Sequence, residues 1–191
     1  MQNNLVKNLS FLILFSICKH LFAQSKIDTA VIKKQLTTIY ARDQKARQGD
    51  SAKYMAYFDS SNLVQVECLI ATYGWPGKHF VGAKGNYTIF LVIQHADLKT
   101  QEKYLPMFSK SVADSESRAC DLAYLQDRIL MREEKKQIYG SQVVFNKTTG
   151  AQEFYPIEDE INVNLRRKKV GLQPLEEYAK YFGIDYKLPK Q

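Results

Sequence analysis

The sequence predicts a mainly α-helical fold, a single-domain helical bundle around a buried central helix, with a small antiparallel β-hairpin in the C-terminal third. Apolar residues recur at helical spacing over much of the first two thirds of the chain. Residues 82–98 are apolar on nearly every side, which is typical of a helix that other helices surround. Beyond residue 136 the apolar period changes to two, and a polar turn around Gly150 separates two such runs.

The N-terminus has the composition of a secretory signal peptide. Residues 9–18 form an apolar run, but it is shorter than the roughly 20 residues that a transmembrane helix needs. Ala23 is a small residue suited to a cleavage site. We therefore predict a signal peptide at residues 1–23 and one globular domain at residues 24–191. The mature chain is expected to be periplasmic or secreted and not to span a membrane.

Composition narrows the classes of partner. The formal net charge is +7, and the basic residues are spread along the chain, with the densest run at residues 166–169. An exported protein without basic and aromatic residues interleaved on one face is not expected to bind nucleic acid. Cys68 and Cys120 are compatible with one disulfide or with two free thiols. No paired ligand spacing for zinc occurs, so neither a metal nor a cofactor is predicted.

The first half of the chain is predicted to form three helices. Residues 25–48 carry a helical apolar stripe that Gly49 ends, and residues 50–59 form a connecting or weakly helical piece. Residues 61–72 form a second helix that Ser60 or Ser61 caps. The segment from Gly74 to Gly77 is a rigid corner, in which Gly77 permits a left-handed turn and Trp75 plugs the core. The central helix follows, from Gly82 to about Leu98.

Two further helices and the hairpin complete the order. Residues 99–114 contain Pro106, which predicts a kink or break, and residues 116–132 carry another apolar stripe. Strands are predicted at residues 137–145 and 151–157. A helix at about residues 160–170 and a last short helix from Pro174 to Gly183 close the chain. Gly140 within the first strand indicates a bulge or a close backbone contact.

Polar residues at the edges of apolar stripes are the candidate site. His95 ends the central helix, where it serves as a general acid or base or as a hydrogen-bonded structural residue. Asp97 points to a different helical face, which argues against a shared metal ion. Asp43 and Arg47 pair along their helix or face a pocket. Arg128 is placed to pair with an aspartate, Asp121 or Asp127, or to bind an anion.

The amide and aromatic candidates are less specific. Gln94 precedes His95, and Gln142 lies on a strand face with two aliphatic residues, so its amide is predicted to point inward and to need partners. Gln137 begins the same strand. Trp75 is interpreted first as a core anchor and second as part of a ligand site.

An ordered series of short motifs resembles a bacterial domain family of unknown function over nearly the whole mature chain. The motifs are Asp43-Gln44-x-x-Arg47, Gly74-Trp75-Pro76-Gly77, Val81-Gly82, Gln94-His95-Ala96-Asp97, Tyr124-Leu125-x-Asp127-Arg128, Gln137-x-Tyr139-Gly140-Ser141-Gln142, Pro156-Ile157-Glu158-Asp159 and Arg166-Arg167-x-x-x-Gly171-Leu172. The family usually has threonine where this chain has Ser141, and a glycine near Glu134 that is absent here. The resemblance implies a shared pattern of polar residues and no established activity.

Two classes of function remain open from the sequence. The first is a ligand-binding or structural envelope protein with a polar cluster around His95, whose partner is a small molecule or an envelope component. The alternative is a small exported hydrolase-like enzyme. In that case His95 is the general acid or base, Asp127 orients it, Arg128 holds an anionic group, and Gln94 and Gln142 bind substrate. No Gly-x-Ser-x-Gly nucleophile motif supports the second class.

Overall fold

A computed structural model of the chain describes residues 29–48 and 52–189, with side chains from residue 55 onward in the second range. The predicted signal peptide at residues 1–23 lies outside these residues. Contacts between Cα atoms divide the chain into Met1–Val31 and Ile32–Gln191, and the account below concerns the second unit. Within the described ranges the mainly α-helical prediction is confirmed, with seven α-helices and one two-stranded antiparallel hairpin.

The elements follow one another in a simple order. The helices are α1 (Thr29–Gln48), α2 (Ala52–Tyr73), α3 (Lys78–His95), α4 (Leu98–Ala113), α5 (Ala119–Arg132), α6 (Val163–Lys169) and α7 (Leu175–Ala179). The hairpin consists of β1 (Val143–Asn146) and β2 (Ala151–Phe154), and short 3-10 helices lie at Glu160–Asn162 and Lys180–Phe182. None of the helices within the described ranges combines the length and the apolar composition that crossing a membrane requires.

Helix α3 is the buried centre that the sequence predicts. Ile89 and Ile93 have no exposed surface, and Phe90 is almost completely buried. A Cβ atom on Gly85 would lie 3.1 Å from a methyl carbon of Leu36, so the glycine permits the close packing of α1 on α3. Gly82 has φ 79° and ψ 161°, and it separates a first helical turn from the regular part of α3.

The corner before α3 is built differently from the prediction. Gly74, with φ +70°, is the left-handed residue, whereas Gly77 has φ −74°. Gly77 is required for space instead, because a Cβ atom there would lie 2.7 Å from the Cβ atom of Glu116. Trp75 stacks on Phe108 with ring centroids 4.4 Å apart, which is the predicted role of a core anchor.

Several predicted boundaries were wrong. Of the two alternatives for residues 50–59, the helical one holds from residue 52, so α2 is one long helix, and Ser60 is not its cap. Its hydroxyl donates instead to the carbonyl oxygen of Ala56, one turn back. Helix α3 ends at His95 rather than near Leu98, and Asp97 caps α4 by accepting from the backbone N–H of Thr100. Pro106 lies inside α4, which continues past it.

The C-terminal third has its own small core. Ile157, Val163 and Leu175 are buried together there. The first predicted strand was too long, because residues 137–142 form a compact loop before β1. Gly140 has φ +68° within this loop, and a Cβ atom on it would lie 2.9 Å from Ile157 and 3.0 Å from Leu175, which confirms the predicted close contact. In β1 and β2, Val143 pairs with Phe154.

Both cysteines of the predicted mature chain are free thiols. Cys68 is exposed on α2, and Cys120 is half-buried at the start of α5. Of the two alternatives that the sequence left open, the structure therefore has the free thiols rather than the disulfide.

Candidate functional site

His95 forms a hydrogen-bonded pair with a carboxylate from another helix. Its Nδ1 lies 2.9 Å from Oδ1 of Asp43 on α1, and the Asp43 side chain is only 2% exposed. A carboxylate can only accept, so Nδ1 carries the proton and donates it. The imidazole itself is 18% exposed. This arrangement fixes the ring and leaves Nε2 as its second nitrogen, outside the bond to Asp43.

The Asp43 carboxylate is held by three side chains. Besides His95, Arg47 Nη2 lies 3.1 Å from Oδ1, and the Gln44 amide donates to Oδ2 at 2.9 Å. Burial alone raises the pKa of Asp43. The hydrogen bond from His95, the charges of His95 and Arg47, and the bond from Gln44 outweigh burial, so the pKa of Asp43 lies below its ordinary value.

Arg47 links this pair to helix α2. The same Nη2 atom that contacts Asp43 lies 2.7 Å from Oδ1 of Asp59. Asp43, Asp59 and His95 offer ligand atoms within 4.8 Å of one another, a spacing compatible with a metal ion. The guanidinium already compensates both carboxylates, and we therefore assign no metal here.

Helix α5 carries two arginines on the face that meets the end of α3. Tyr124 and Arg132 both contact that end, because the Tyr124 carbonyl accepts from the Gln94 amide and Arg132 donates to the Ala96 carbonyl. Arg128 lies four residues from each of them and therefore shares their face of the helix. It is also close enough to Arg132 and Arg47 for their positive charges to act on it.

Arg128 is the uncompensated charge of this region. Its Nε is buried and has no hydrogen-bond partner among the described residues, although the residue as a whole is only half-buried. No carboxylate of the described residues forms an ion pair with it. Burial lowers the pKa of Arg128 below its usual value, and the positive charges of Arg132 and Arg47 lower it further. The guanidinium stays protonated nonetheless, since arginine does not lose its proton in proteins.

Asn62 is a further polar residue that sequence reasoning missed. It is 1% exposed, and within the described part of the chain neither end of its side-chain amide has a hydrogen-bond partner. It lies three residues after Asp59 and shares that face of α2. The spacing of Asp59 and Asn62, three apart at the edge of an apolar stripe, could have predicted that they share a helical face. It was missed because the second helix was predicted to begin only after residue 59.

Asp127 does not take the predicted place beside His95, which belongs to Asp43. The fully buried Asp127 carboxylate accepts from the backbone N–H groups of Ile138, Tyr139 and Ser141 at 2.7–3.2 Å. Burial raises the pKa of Asp127, and the three N–H groups offset part of that rise. The residue next to it in sequence, Arg128, points elsewhere because successive helix positions differ by about 100°.

Gln137 and Gln142 belong to the same loop as the Asp127 contacts. The Gln137 amide donates to the carbonyls of Gln142 and Tyr155 and accepts from the Gln142 backbone N–H. The Gln142 amide donates to the Ser141 hydroxyl. The prediction that Gln142 points inward is confirmed, since it is 4% exposed. The candidates from the sequence thus separate into an α1–α3–α5 cluster and a loop cluster.

Gln94 lies on the wall of a cavity of about 460 Å³, whose lining residues do not include His95, Asp43 or Arg128. The remaining wall comes from α3, α5 and the segment around α7, with four tyrosines among its residues: Tyr87, Tyr124, Tyr178 and Tyr181. Trp75, by contrast, lies at the other end of α3 and contacts the core.

Fold and site together define an α-helical domain with a group of charged side chains around the buried Asp43 at the end of its central helix. The chain belongs to a family of unknown function, DUF6624, whose profile matches residues 16–190. Comparisons with curated proteins and with solved structures give no significant match.

Proposed function

We propose that this protein binds a small anionic ligand, with a carboxylate or phosphate group, at the Arg128 guanidinium beside the His95–Asp43 pair. The observation that carries the proposal is the buried Nε of Arg128, which has no partner among the described residues. Taking part of a guanidinium out of water without a hydrogen-bond partner costs free energy. A carboxylate or phosphate offsets that cost because it accepts two parallel hydrogen bonds from one guanidinium.

The distribution of charge favours the same group. Arg47 is compensated by Asp43 and Asp59 at 3.1 and 2.7 Å. Arg132 donates to a backbone carbonyl and lies close enough to Asp97 to lower the pKa of that carboxyl. Of Arg47, Arg128 and Arg132, Arg128 is therefore the one that can bind an incoming anion with the smallest loss of existing contacts.

The test is titration of the mature chain with inorganic phosphate, acetate and citrate at constant ionic strength, followed by calorimetry and by melting temperature. Binding to the folded state at a ligand concentration of about 100 times Kd stabilises it by about 2.7 kcal/mol. For a domain of this size that corresponds to a rise in melting temperature of roughly 5–10 °C. We expect at least one anion to produce such a rise.

Arg128→Gln is the decisive variant. It is expected to abolish the anion-dependent rise and to change the melting temperature without ligand little, because the half-buried guanidinium has no ion-pair partner among the described residues. Arg42→Gln is the matched control, since Arg42 is exposed on α1. Anion binding at Arg128 would be contradicted if the anions stabilise both variants equally. It would also be contradicted if they stabilise the wild type no more than chloride does. The cluster would then serve only to hold the helices together.

The His95–Asp43 pair favours a second function, acid–base catalysis on the bound ligand. Asp43 sets the tautomer in which Nε2 has a free lone pair, so Nε2 can take a proton from water or substrate and return it to a leaving group. In this version of the hydrolase hypothesis Asp43 replaces Asp127 as the orienting carboxylate, and Arg128 keeps the role of holding the anionic group.

A panel of chromogenic esters, phosphate esters and glycosides tests this second function. His95→Gln is expected to lower kcat about 10²–10⁴-fold, the usual contribution of a general acid or base. Asp43→Asn should lower kcat while leaving KM nearly unchanged. If the wild type reacts no faster than His95→Gln with any of these substrates, the catalytic function is excluded and only the proposed anion binding remains.

Export is the remaining part of the proposal, and residues 1–23 support it through their short apolar run and small Ala23. Expression of the full-length chain in a bacterium, cell fractionation and N-terminal sequencing test it. We expect a periplasmic or secreted product that begins at or near Gln24. Recovery of chains that retain Met1 in the cytoplasm would contradict it.

A further inference from the structure

The cavity beside Gln94 contains an amide oxygen that no protein group satisfies. Gln94 is 5% exposed, and its Nε2 donates to the Tyr124 carbonyl at 3.3 Å. That carbonyl is an acceptor, so the amide nitrogen must face it and Oε1 must be the other end. Oε1 is buried and has no hydrogen-bond partner among the described residues. A buried acceptor of this kind on a cavity wall is suited to a hydroxyl donor of a ligand.

The rest of the wall combines aromatic rings with planar polar groups. Arg118 forms two hydrogen bonds to the buried Asp121 carboxylate, at 2.8 and 2.6 Å, and stacks over the Tyr87 ring. Tyr181 stands at the rim with 75% of its surface exposed. Aromatic rings contact the C–H faces of a sugar, while planar amide and guanidinium groups bind its hydroxyls. The volume lies within the range of roughly 300–1,000 Å³ typical of small-molecule sites.

The cavity and the proposed anion site are neighbours. Arg128 does not line the cavity itself, but Tyr178 does, and Tyr178 and Arg128 lie close enough for the charge of each to act on the pKa of the other. Gln94 is bound to Tyr124, and Arg128 lies one helical turn further along the same face of α5. One turn of an α-helix rises about 5.4 Å. That span is similar to the distance between a ring hydroxyl and an acidic group at the opposite end of a monosaccharide.

We infer that the ligand is an acidic monosaccharide, whose ring occupies the cavity beside Gln94 and whose carboxylate or phosphate is held by Arg128. The inference rests on the proposed anion binding and adds the chemical class of the ligand. The ring hydroxyls donate to Gln94 Oε1 and contact the tyrosine-rich wall, and the anionic group forms paired hydrogen bonds with the guanidinium.

The experiment compares dissociation constants for glucose 6-phosphate, glucuronate, glucose, inorganic phosphate, acetate and adenosine monophosphate on the mature chain. One of the two sugar acids is expected to bind at least about fivefold more tightly than its free anion and than glucose, as one added hydrogen bond of average strength predicts. Which of the two binds more tightly distinguishes phosphate from carboxylate.

Two variants separate the two parts of the ligand. Gln94→Met keeps the side-chain volume and is expected to remove the roughly fivefold advantage of the sugar acid while changing phosphate binding less than about twofold. Arg128→Gln should reduce the sugar acid to the affinity of glucose. Tyr181→Ala tests the rim without disturbing the core, and we expect a loss of at least about threefold for the sugar acid only. Gln152→Met on exposed β2 is the matched control.

The outcomes distinguish this inference from the proposal on which it rests. If inorganic phosphate binds and no sugar acid binds more tightly, the sugar assignment fails and anion binding stands. Tighter binding of adenosine monophosphate than of either sugar acid also overturns it, in favour of a nucleotide. If neither free anions nor sugar acids bind, anion binding itself has failed.

Discussion

At the scale of single residues, two buried aspartates have opposite electrostatic surroundings. Asp43 is held by His95, Arg47 and Gln44, and its pKa is lowered although burial acts in the other direction. Asp127 accepts from backbone N–H groups, and burial raises its pKa. The Asp43 carboxylate therefore belongs to a cluster of charged side chains, whereas the Asp127 carboxylate holds a loop in place.

Because of Asp43, the free energy of unfolding is expected to depend on pH under acidic conditions. Since its pKa is depressed in the folded chain, its contribution is fully present above the ordinary value of 3.8 and is lost as the pH falls through the lower folded value. Asp43→Asn is expected to lower the free energy of unfolding by about 1–3 kcal/mol at pH 7. The difference from wild type should narrow below about pH 3.8, as measured by urea denaturation across pH. A difference that stays constant with pH would contradict the pairing with His95.

Asp127 is expected to be a stability residue. Asp127→Ala leaves three backbone N–H groups without their acceptor and should lower the free energy of unfolding by roughly 2–4 kcal/mol. Chemical denaturation measures the loss, and Asp185→Ala at an exposed position is the control. If Asp127→Ala leaves the free energy of unfolding nearly unchanged but abolishes ligand binding, Asp127 instead has the site role that was predicted from the sequence.

The sequence located the individual polar residues well but not their partners. Asp43 and Arg47 were recognised as a pair because they are four apart on a helix, a distance that the chain itself determines. The pairing of Asp43 with His95 joins residues 52 positions apart and depends on how α1 packs on α3. Asp127 was assigned to His95 because both are polar and near apolar stripes, and spacing along the chain contains no information that would have chosen Asp43 instead.

At the scale of elements, the helices were predictable and their ends were less so. The apolar stripes of α1, α4 and α5 and the fully apolar α3 follow from local spacing. The beginning of α2 and the loop at residues 137–142 were misread because their geometry depends on distant contacts. In the loop, Asp127 and Gln137 provide the hydrogen bonds that a neighbouring strand would otherwise supply.

Gly140 and Gly150 allow a matched test of packing at this end of the fold. Both have positive φ, +68° and +71°, but only Gly140 has neighbours where a Cβ atom would lie. Gly150→Ala should lower the free energy of unfolding by about 1–2 kcal/mol through backbone strain alone. Gly140→Ala adds overpacking against Ile157 and Leu175, roughly 1–3 kcal/mol more. Equal losses in thermal or chemical denaturation would mean that the loop moves away to accept the methyl group.

At the scale of the whole molecule, the fold has no covalent cross-link within the described residues, and a large helical core and a small C-terminal core account for its buried apolar side chains. The helical core surrounds α3, and the smaller core forms around Ile157, Val163 and Leu175. Asp127 connects them, since it lies on α5 and binds the loop that covers the second core. Stability thus depends on packing and on this polar connection rather than on a disulfide.

Thiol titration tests this description. Two free thiols are expected in the native mature chain, with Cys68 reacting first because it is exposed and Cys120 more slowly because burial raises its pKa. A reducing agent should leave the melting temperature unchanged. Absence of reactive thiols in the exported protein, together with a lower melting temperature after reduction, would contradict the free-thiol state.

The cavity wall is assembled from two distant parts of the chain, α3 and α5 on one side and residues 171–181 on the other. During synthesis, the helices that present Gln94 and Arg128 emerge well before the segment that faces them. A C-terminally clipped chain is expected to keep its helical core and to lack the part of the cavity wall that residues 171–181 supply. If the cavity binds a ligand, its occupancy therefore reports on the completeness of the polypeptide.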